Sequence, residues 1–123
     1  MKRLAAAILV IAFHSSALAG EIEGRKAFEP CLSCHSMEPE FEGLPGPSLS
    51  GLIGRRVGGD PKFDYSPVLR TANEEGQVWS PALLETFLKD PEGMFPGMWM
   101  SYPGIRDPRE RAALVRYITA PDN

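Results

Sequence analysis

The sequence predicts an all-α domain of about three main helices joined by long loops, and three observations carry that expectation. Ser80-Pro81 and Asp107-Pro108 each pair a capping residue with proline and precede an apolar stripe at helical spacing. Glycine and proline number 12 each in 123 residues, well above their usual combined share. Both cysteines of the chain fall in the single run Cys31-Leu32-Ser33-Cys34-His35.

The first helix is expected from about Glu21 to Phe28, with Ile22 and Phe28 on its apolar face, and Pro30 stops it just before Cys31. The second starts at the Ser80 cap, carries Leu83, Leu84, Phe87 and Leu88 as one stripe, and closes at Asp90-Pro91. The third takes Asp107 as cap, with Glu110 three residues on in capping-box register, and lines one face with Leu114, Tyr117 and Ile118. These apolar residues are expected to form the core. The stretch from Gly43 to Val78 is expected to be loop, and something other than a conventional core must order it.

The CxxCH run supplies that element. Its spacing lets two thiolates add to the two vinyl groups of one haem, while the adjacent imidazole turns under the ring to ligate iron. A structural disulfide would leave His35 without a role, and a thioredoxin-type pair wants a strand before it and a helix opening at the first cysteine. A closed zinc site needs four ligands and usually a second CxxC or HxxxH, and neither occurs here. The reading is therefore one covalent haem c per chain. Its large apolar ring replaces several core side chains, which lets a small domain order long loops.

The chain opens with Met1-Lys2-Arg3, an apolar run from Leu4 to Phe13, and the small-x-small triplet Ala17-Leu18-Ala19. This pattern reads as a secretory signal peptide over residues 1–19, cut after Ala19; the run is too short to span a bilayer comfortably, which makes an uncleaved membrane anchor the lesser alternative. His14 falls in that leader, which leaves His35 as the only histidine of the domain at 20–123. Loss of Lys2 and Arg3 with the leader leaves 11 basic against 16 acidic residues, a net charge of −5 in place of −3. Such a surface does not suit nucleic acid, whose phosphates need a basic footprint. Export combined with thioethers implies the bacterial periplasm, with no stable membrane insertion after cleavage and a monomeric protein.

The second axial position decides between an open site for gas or peroxide and a filled one for electron transfer. Four methionines lie beyond the leader: Met37, Met94, Met98 and Met100. Met37 is two residues from His35 and poorly placed to cross the ring. The other three sit in Met94-Phe95-Pro96-Gly97-Met98-Trp99-Met100, and one of them is expected to ligate iron.

At these residues the chain closely resembles the class I c-type cytochromes, the small soluble group that includes mitochondrial cytochrome c and bacterial cytochrome c2. The resemblance runs from Phe28 through CxxCH, Gly46-Pro47-Ser48-Leu49, Gly51-Leu52-Ile53-Gly54-Arg55, Tyr65-Ser66, Trp79, Leu88-Lys89-Asp90-Pro91, Pro96 to Met100 and Tyr102-Pro103-Gly104-Ile105 to the Tyr117 helix. It implies the small cytochrome c fold, with loops wrapped around the haem. In the family's PGTKM pattern the last methionine is the ligand, which falls on Met100. The resemblance further implies that the Pro47 carbonyl holds the other ring nitrogen of His35, and that Arg55, Tyr65 and Trp79 bond the haem propionates. Packing alone is the competing role for Tyr65 and Trp79.

Departures from the family pattern are also visible. Met98 replaces a threonine and cannot supply its hydroxyl to a propionate, and Phe87 stands where mitochondrial proteins carry a tyrosine near the methionine sulfur. Pro30 and Trp99 occupy places where lysine is common around the haem edge. Fewer polar contacts at the haem are expected to move its reduction potential.

The sequence thus reads as an electron carrier, not an enzyme, with His35 and Met100 as axial ligands of an Fe(III)/Fe(II) couple. Expected partners are a membrane cytochrome complex, a terminal oxidase, a photosynthetic centre or a periplasmic dehydrogenase. One alternative is a dedicated cytochrome subunit of a dehydrogenase or oxidase complex, hinted at by Trp99 and Tyr102 near the haem edge. Another is a haem enzyme or sensor with an exchangeable distal ligand, which has no distal histidine to act as acid or base here. Glu29, Glu38, Glu40 and Glu42 flank the attachment run as either a solvated face or a docking face for a basic partner.

Overall fold

Proline at the first position starts four of the five α-helices among the described residues: α2 (Pro67–Glu74), α3 (Pro81–Lys89), α4 (Pro91–Met94) and α5 (Pro108–Thr119). Its missing N–H is one that no helical carbonyl would have reached, and its fixed φ already suits a helix. The fifth helix, α1 (Ala6–Phe28), runs into a 3-10 segment at Glu29–Ser33. The protein was studied as a computed structural model that describes residues 6–40 and 42–120.

Local chemistry sets the helix ends. Ser80 Oγ accepts from the Leu83 N–H at 3.1 Å, as its cap position requires. Asp90 ends α3 and caps α4 at once, its Oδ1 accepting from the Gly93 N–H at 2.9 Å. At α5 the cap is Asp107, but its Oδ1 accepts from the Arg109 N–H at 2.8 Å. The expected capping box is therefore replaced by a cap one residue earlier, which the short aspartate side chain reaches directly.

The core forms where α1 crosses α5. Gly24 makes that crossing possible: a Cβ there would stand 2.7 Å from both the Ala113 carbonyl oxygen and Tyr117 Cβ. Phe28 meets the Tyr117 ring at 5.3 Å between centroids, and Leu114 and Ile118 bury beside them. Leu84, Phe87 and Leu88 of α3 complete the cluster with Phe95 and Met98. Trp79 stands edge-on to Phe87 at 5.2 Å and joins the loops to this core.

Three expectations are corrected. The first helix extends well beyond the Glu21–Phe28 span, back to Ala6, because the alanine-rich stretch before Glu21 is itself a strong helix former. Ile22 is not core and is 60% exposed. Two residues turn a helix by about 200°, so a side chain at position 22 points away from the face on which Gly24 meets α5. The segment expected as one long loop also contains α2, which buries Ala72 and packs Val68 and Leu69 against the core; this stripe covers little more than one turn, too short to stand out within a glycine- and proline-rich stretch.

Among the described residues no strand forms. A single antiparallel bridge joins Arg56 to Val78, flanked by Gly54 N–H to Trp79 O and Val57 N–H to Gln77 O bonds, both 2.9 Å. No helix is long and apolar enough to cross a membrane among those residues.

Candidate haem-binding site

The 3-10 segment ends on the attachment run, and its hydrogen bonds shape it. The Cys31 carbonyl accepts from the N–H groups of both Cys34 and His35, at 3.1 and 2.9 Å. Cys31 and Cys34 are each half-buried and are not joined in a disulfide. Burial pushes the Cys31 thiol up, and the neighbouring Cys34 adds to the effect.

His35 is buried, and its ring is fixed from the far side. Nδ1 donates to the Pro47 carbonyl at 2.8 Å. A proline carbonyl can only accept, so the proton sits on Nδ1 and the Nε2 lone pair is left for a metal. Burial, opposed by the Pro47 hydrogen bond and reinforced by the Arg55 charge, holds the imidazole below its ordinary value. The neutral form that ligates iron is thus the favoured one.

The loop carrying Pro47 is stitched to the attachment run. Gly46 N–H donates to Cys34 O at 2.8 Å, Leu49 N–H to Ser36 O at 2.8 Å, and Ser48 Oγ to Glu38 O at 2.7 Å. Arg55 Nη2 then donates to Ser48 O at 2.7 Å, which places its guanidinium beside this loop.

Tyr65 is buried, its ring edge-on to Phe63 at 4.9 Å and its hydroxyl accepting from the Asp60 N–H at 3.2 Å. Burial raises its phenol, opposed by that hydrogen bond. Trp79 is half-buried and makes aromatic contacts with Phe87 and Phe95, the packing role. Met98 is a core residue, whereas Met100 is half-buried against the core edge, on the segment that follows the Met98 turn. Tyr102 is also half-buried and lies close enough to Cys31 for the thiolate to help raise its phenol, after burial as the main cause.

One residue that sequence reasoning passed over tests whether this set suits a haem. Ser66 caps α2 as Ser80 caps α3, each followed by proline, yet Ser66 Oγ makes no cap bond. Its hydroxyl is buried without a partner, a cost of roughly 1–3 kcal/mol if it stays so. A polar donor left over beside Tyr65, in a domain whose only histidine offers a lone pair, fits a ring that brings carboxylates and a metal together. The zinc alternative does not gain support: among the described residues no three His, Cys, Asp or Glu side chains are grouped to hold an ion.

An all-α fold with a CxxCH run, a carbonyl-oriented histidine and a methionine-bearing loop defines a mono-haem c-type cytochrome. Comparison with known proteins makes the assignment specific. Cytochrome c2 of Agrobacterium tumefaciens (strain II Chrys) is 40% identical over 96 residues, 78% of this chain and 86% of that protein. Cytochrome c type-1 of Ascaris suum is 40% identical over 97 residues, covering 77% and 82% of the two chains. The solved structure of cytochrome c2 from Rhodospirillum centenum superposes with a TM-score of 0.73 at 29% identity, over 80% of this chain and 94% of that one. No family model matches the sequence. The chain belongs to the class I c-type cytochromes, electron-transport proteins that carry covalent haem c.

Proposed function

We propose that this protein is a periplasmic one-electron carrier, with haem joined through Cys31 and Cys34 and ligated by His35 and Met100. When bound, the haem supplies a one-electron iron couple. The chain does the rest: it orients two ligands, excludes water and partners the propionates. The observation that carries the reading is the 2.8 Å bond from His35 Nδ1 to the Pro47 carbonyl, which fixes the tautomer needed for an Nε2 ligand.

Arg55, Tyr65 and Trp79 are the proposed propionate partners, and Ser66 joins them as a buried hydroxyl awaiting an acceptor. Filled axial positions would keep coordination unchanged on reduction, which favours transfer over substrate binding, so the protein acts as a carrier and not as an enzyme. Residues 1–19 are the proposed export signal, removed after Ala19, and the membrane or periplasmic redox complexes named above are the partners.

Two measurements test this. Haem should remain with the denatured chain through acid–acetone extraction, and Cys31→Ala with Cys34→Ala should abolish that retention. The ferric protein should show the weak long-wavelength sulfur-to-iron absorption. Its absence in the wild type would refute the methionine ligand. A native protein that elutes only within a larger assembly would favour the dedicated-subunit alternative.

A further inference from the structure

Arg111 is a buried charge that no part of the haem site explains. It is 8% exposed in the first turn of α5, and arginine is rarely sequestered without a partner. Its partners lie on two other elements. Nε donates to Glu85 Oε1 on α3, and Nη1 donates to the Ile105 carbonyl at 2.8 Å and the Arg106 carbonyl at 3.4 Å.

Ile105 is the point where the Met100 segment rejoins the helices. Its N–H donates to Leu88 O at 2.8 Å, so its two flanking peptide groups are held by α3 on one side and by Arg111 of α5 on the other. Gly104, just before it, has φ +89°, and a Cβ there would stand 2.6 Å from the Lys89 carbonyl oxygen. The chain is thus pressed against the end of α3. At the other end of the segment, Met98 N–H donates to Phe95 O at 3.1 Å and Gly97 N–H to Glu92 Oε1 at 3.0 Å. Among the described residues no backbone-to-backbone hydrogen bond involves 99–104. Met100 therefore rides on a span whose backbone hydrogen bonds lie at its two ends, with the packing of Met100 and Tyr102 against the core between them.

We infer that Arg111 is a positioning residue for the Met100 span, tying its return limb to α3 and α5 so that the sulfur is held in place. The inference rests on Met100 being the distal ligand. Loosening the rear post raises the population in which the span has swung away, and an exogenous ligand reads that population directly.

Imidazole titration of the ferric holoprotein tests it, with denaturant midpoints measured alongside. Arg111→Met should bind imidazole about tenfold more tightly than wild type, the equivalent of one lost charge-assisted hydrogen bond. Arg111→Lys, which keeps the charge but loses the fork that spans Glu85 and the Ile105 and Arg106 carbonyls, should show a smaller tightening of about threefold and decides the matter if the methionine variant yields no holoprotein. Val57→Ala, a cavity variant beside the Arg56–Val78 bridge, controls for general destabilisation and should leave imidazole affinity unchanged. Wild-type affinity in folded Arg111 variants, or equal tightening in Val57→Ala, would overturn the positioning role. Met100→Ala separates the underlying premise: if it binds imidazole no more tightly than wild type, the ligand assignment fails and not the clamp.

Discussion

A Cβ at Gly46 would stand 2.4 Å from His35 Cε1 and 2.7 Å from its Nδ1. The glycine lets the backbone lie against the imidazole, and the carbonyl of the next residue, Pro47, then accepts the hydrogen bond from Nδ1–H. Contact and hydrogen bond together leave the ring one orientation.

Gly46→Ala should therefore damage the histidine seat itself. The added methyl meets ring atoms and the Cys34 carbonyl, also within 2.8 Å, neither of which is a flexible side-chain end. A stability loss of roughly 1–3 kcal/mol is expected from the forced shift, with a changed reduction potential as the His35–Pro47 bond lengthens. Gly76→Ala is the contrast, with φ +77° and nothing within reach of its Cβ. It should cost only the backbone strain, about 1 kcal/mol, and leave the potential unchanged. Equal potentials in both variants would remove Gly46 from the site.

Met98 and Met100 should separate cleanly. Met98 is buried in the cluster with Phe95, so Met98→Ala should lower stability by roughly 2–5 kcal/mol while keeping the sulfur-to-iron absorption. Met100→Ala should erase that absorption and admit cyanide. The reverse pattern would shift the ligand by two positions.

Tyr65 should give the protein a stability that fades in strong alkali. Its folded phenol lies above the ordinary value of 10.0, chiefly through burial, so the unfolded chain releases its proton first. The contribution is complete below pH 10.0 and is lost as pH rises through the folded value. Denaturant midpoints of the reduced protein should fall above that pH. Tyr65→Phe should fall less steeply, and a slope equal to wild type would contradict the linkage.

Glu38, Glu40 and Glu42 are exposed, and Glu42 pairs with Lys62 at 3.0 Å. If this face meets a basic partner, Glu38→Gln with Glu40→Gln should slow association and flatten its salt dependence, because screening shortens the attraction. Glu42→Gln should do less, since its charge is already answered by Lys62. Trp99, 61% exposed, should behave otherwise: Trp99→Ala raises dissociation with little change in salt slope. Stopped-flow reduction at several ionic strengths distinguishes them, and unchanged rates in the double glutamate variant would retire this face.

What could be read from the sequence was local. The CxxCH run, the Ser80 and Asp107 caps and the α3 stripe of Leu84, Phe87 and Leu88 depend on neighbours a few residues apart. α2 and α4 escaped because they are short: the Val68, Leu69 and Ala72 stripe of α2 covers little more than one turn, and α4 is a single turn of four residues. Ser66 and Arg111 were hidden for a different reason. A serine before proline reads as a cap, and an arginine in a helix reads as solvent-facing; only the tertiary arrangement withholds the cap bond from Ser66 and brings Glu85, 26 residues away, to Arg111.

The Gly24 crossing has a consequence for the order in which the molecule can be made. Among the described residues α5 is the one α-helix on which α1 packs, and residues 29–107 lie between them in the chain. As the polypeptide emerges from a ribosome or a translocation pore, its first helix has nothing to close against until Ala113 and Tyr117 have followed. Cys31 and Cys34 are thus displayed on an unfinished chain throughout that interval, open to the machinery that attaches haem. Haem attachment can therefore act on a chain whose terminal helices have not yet met, because the fold itself delays their contact until the last part of the domain has emerged.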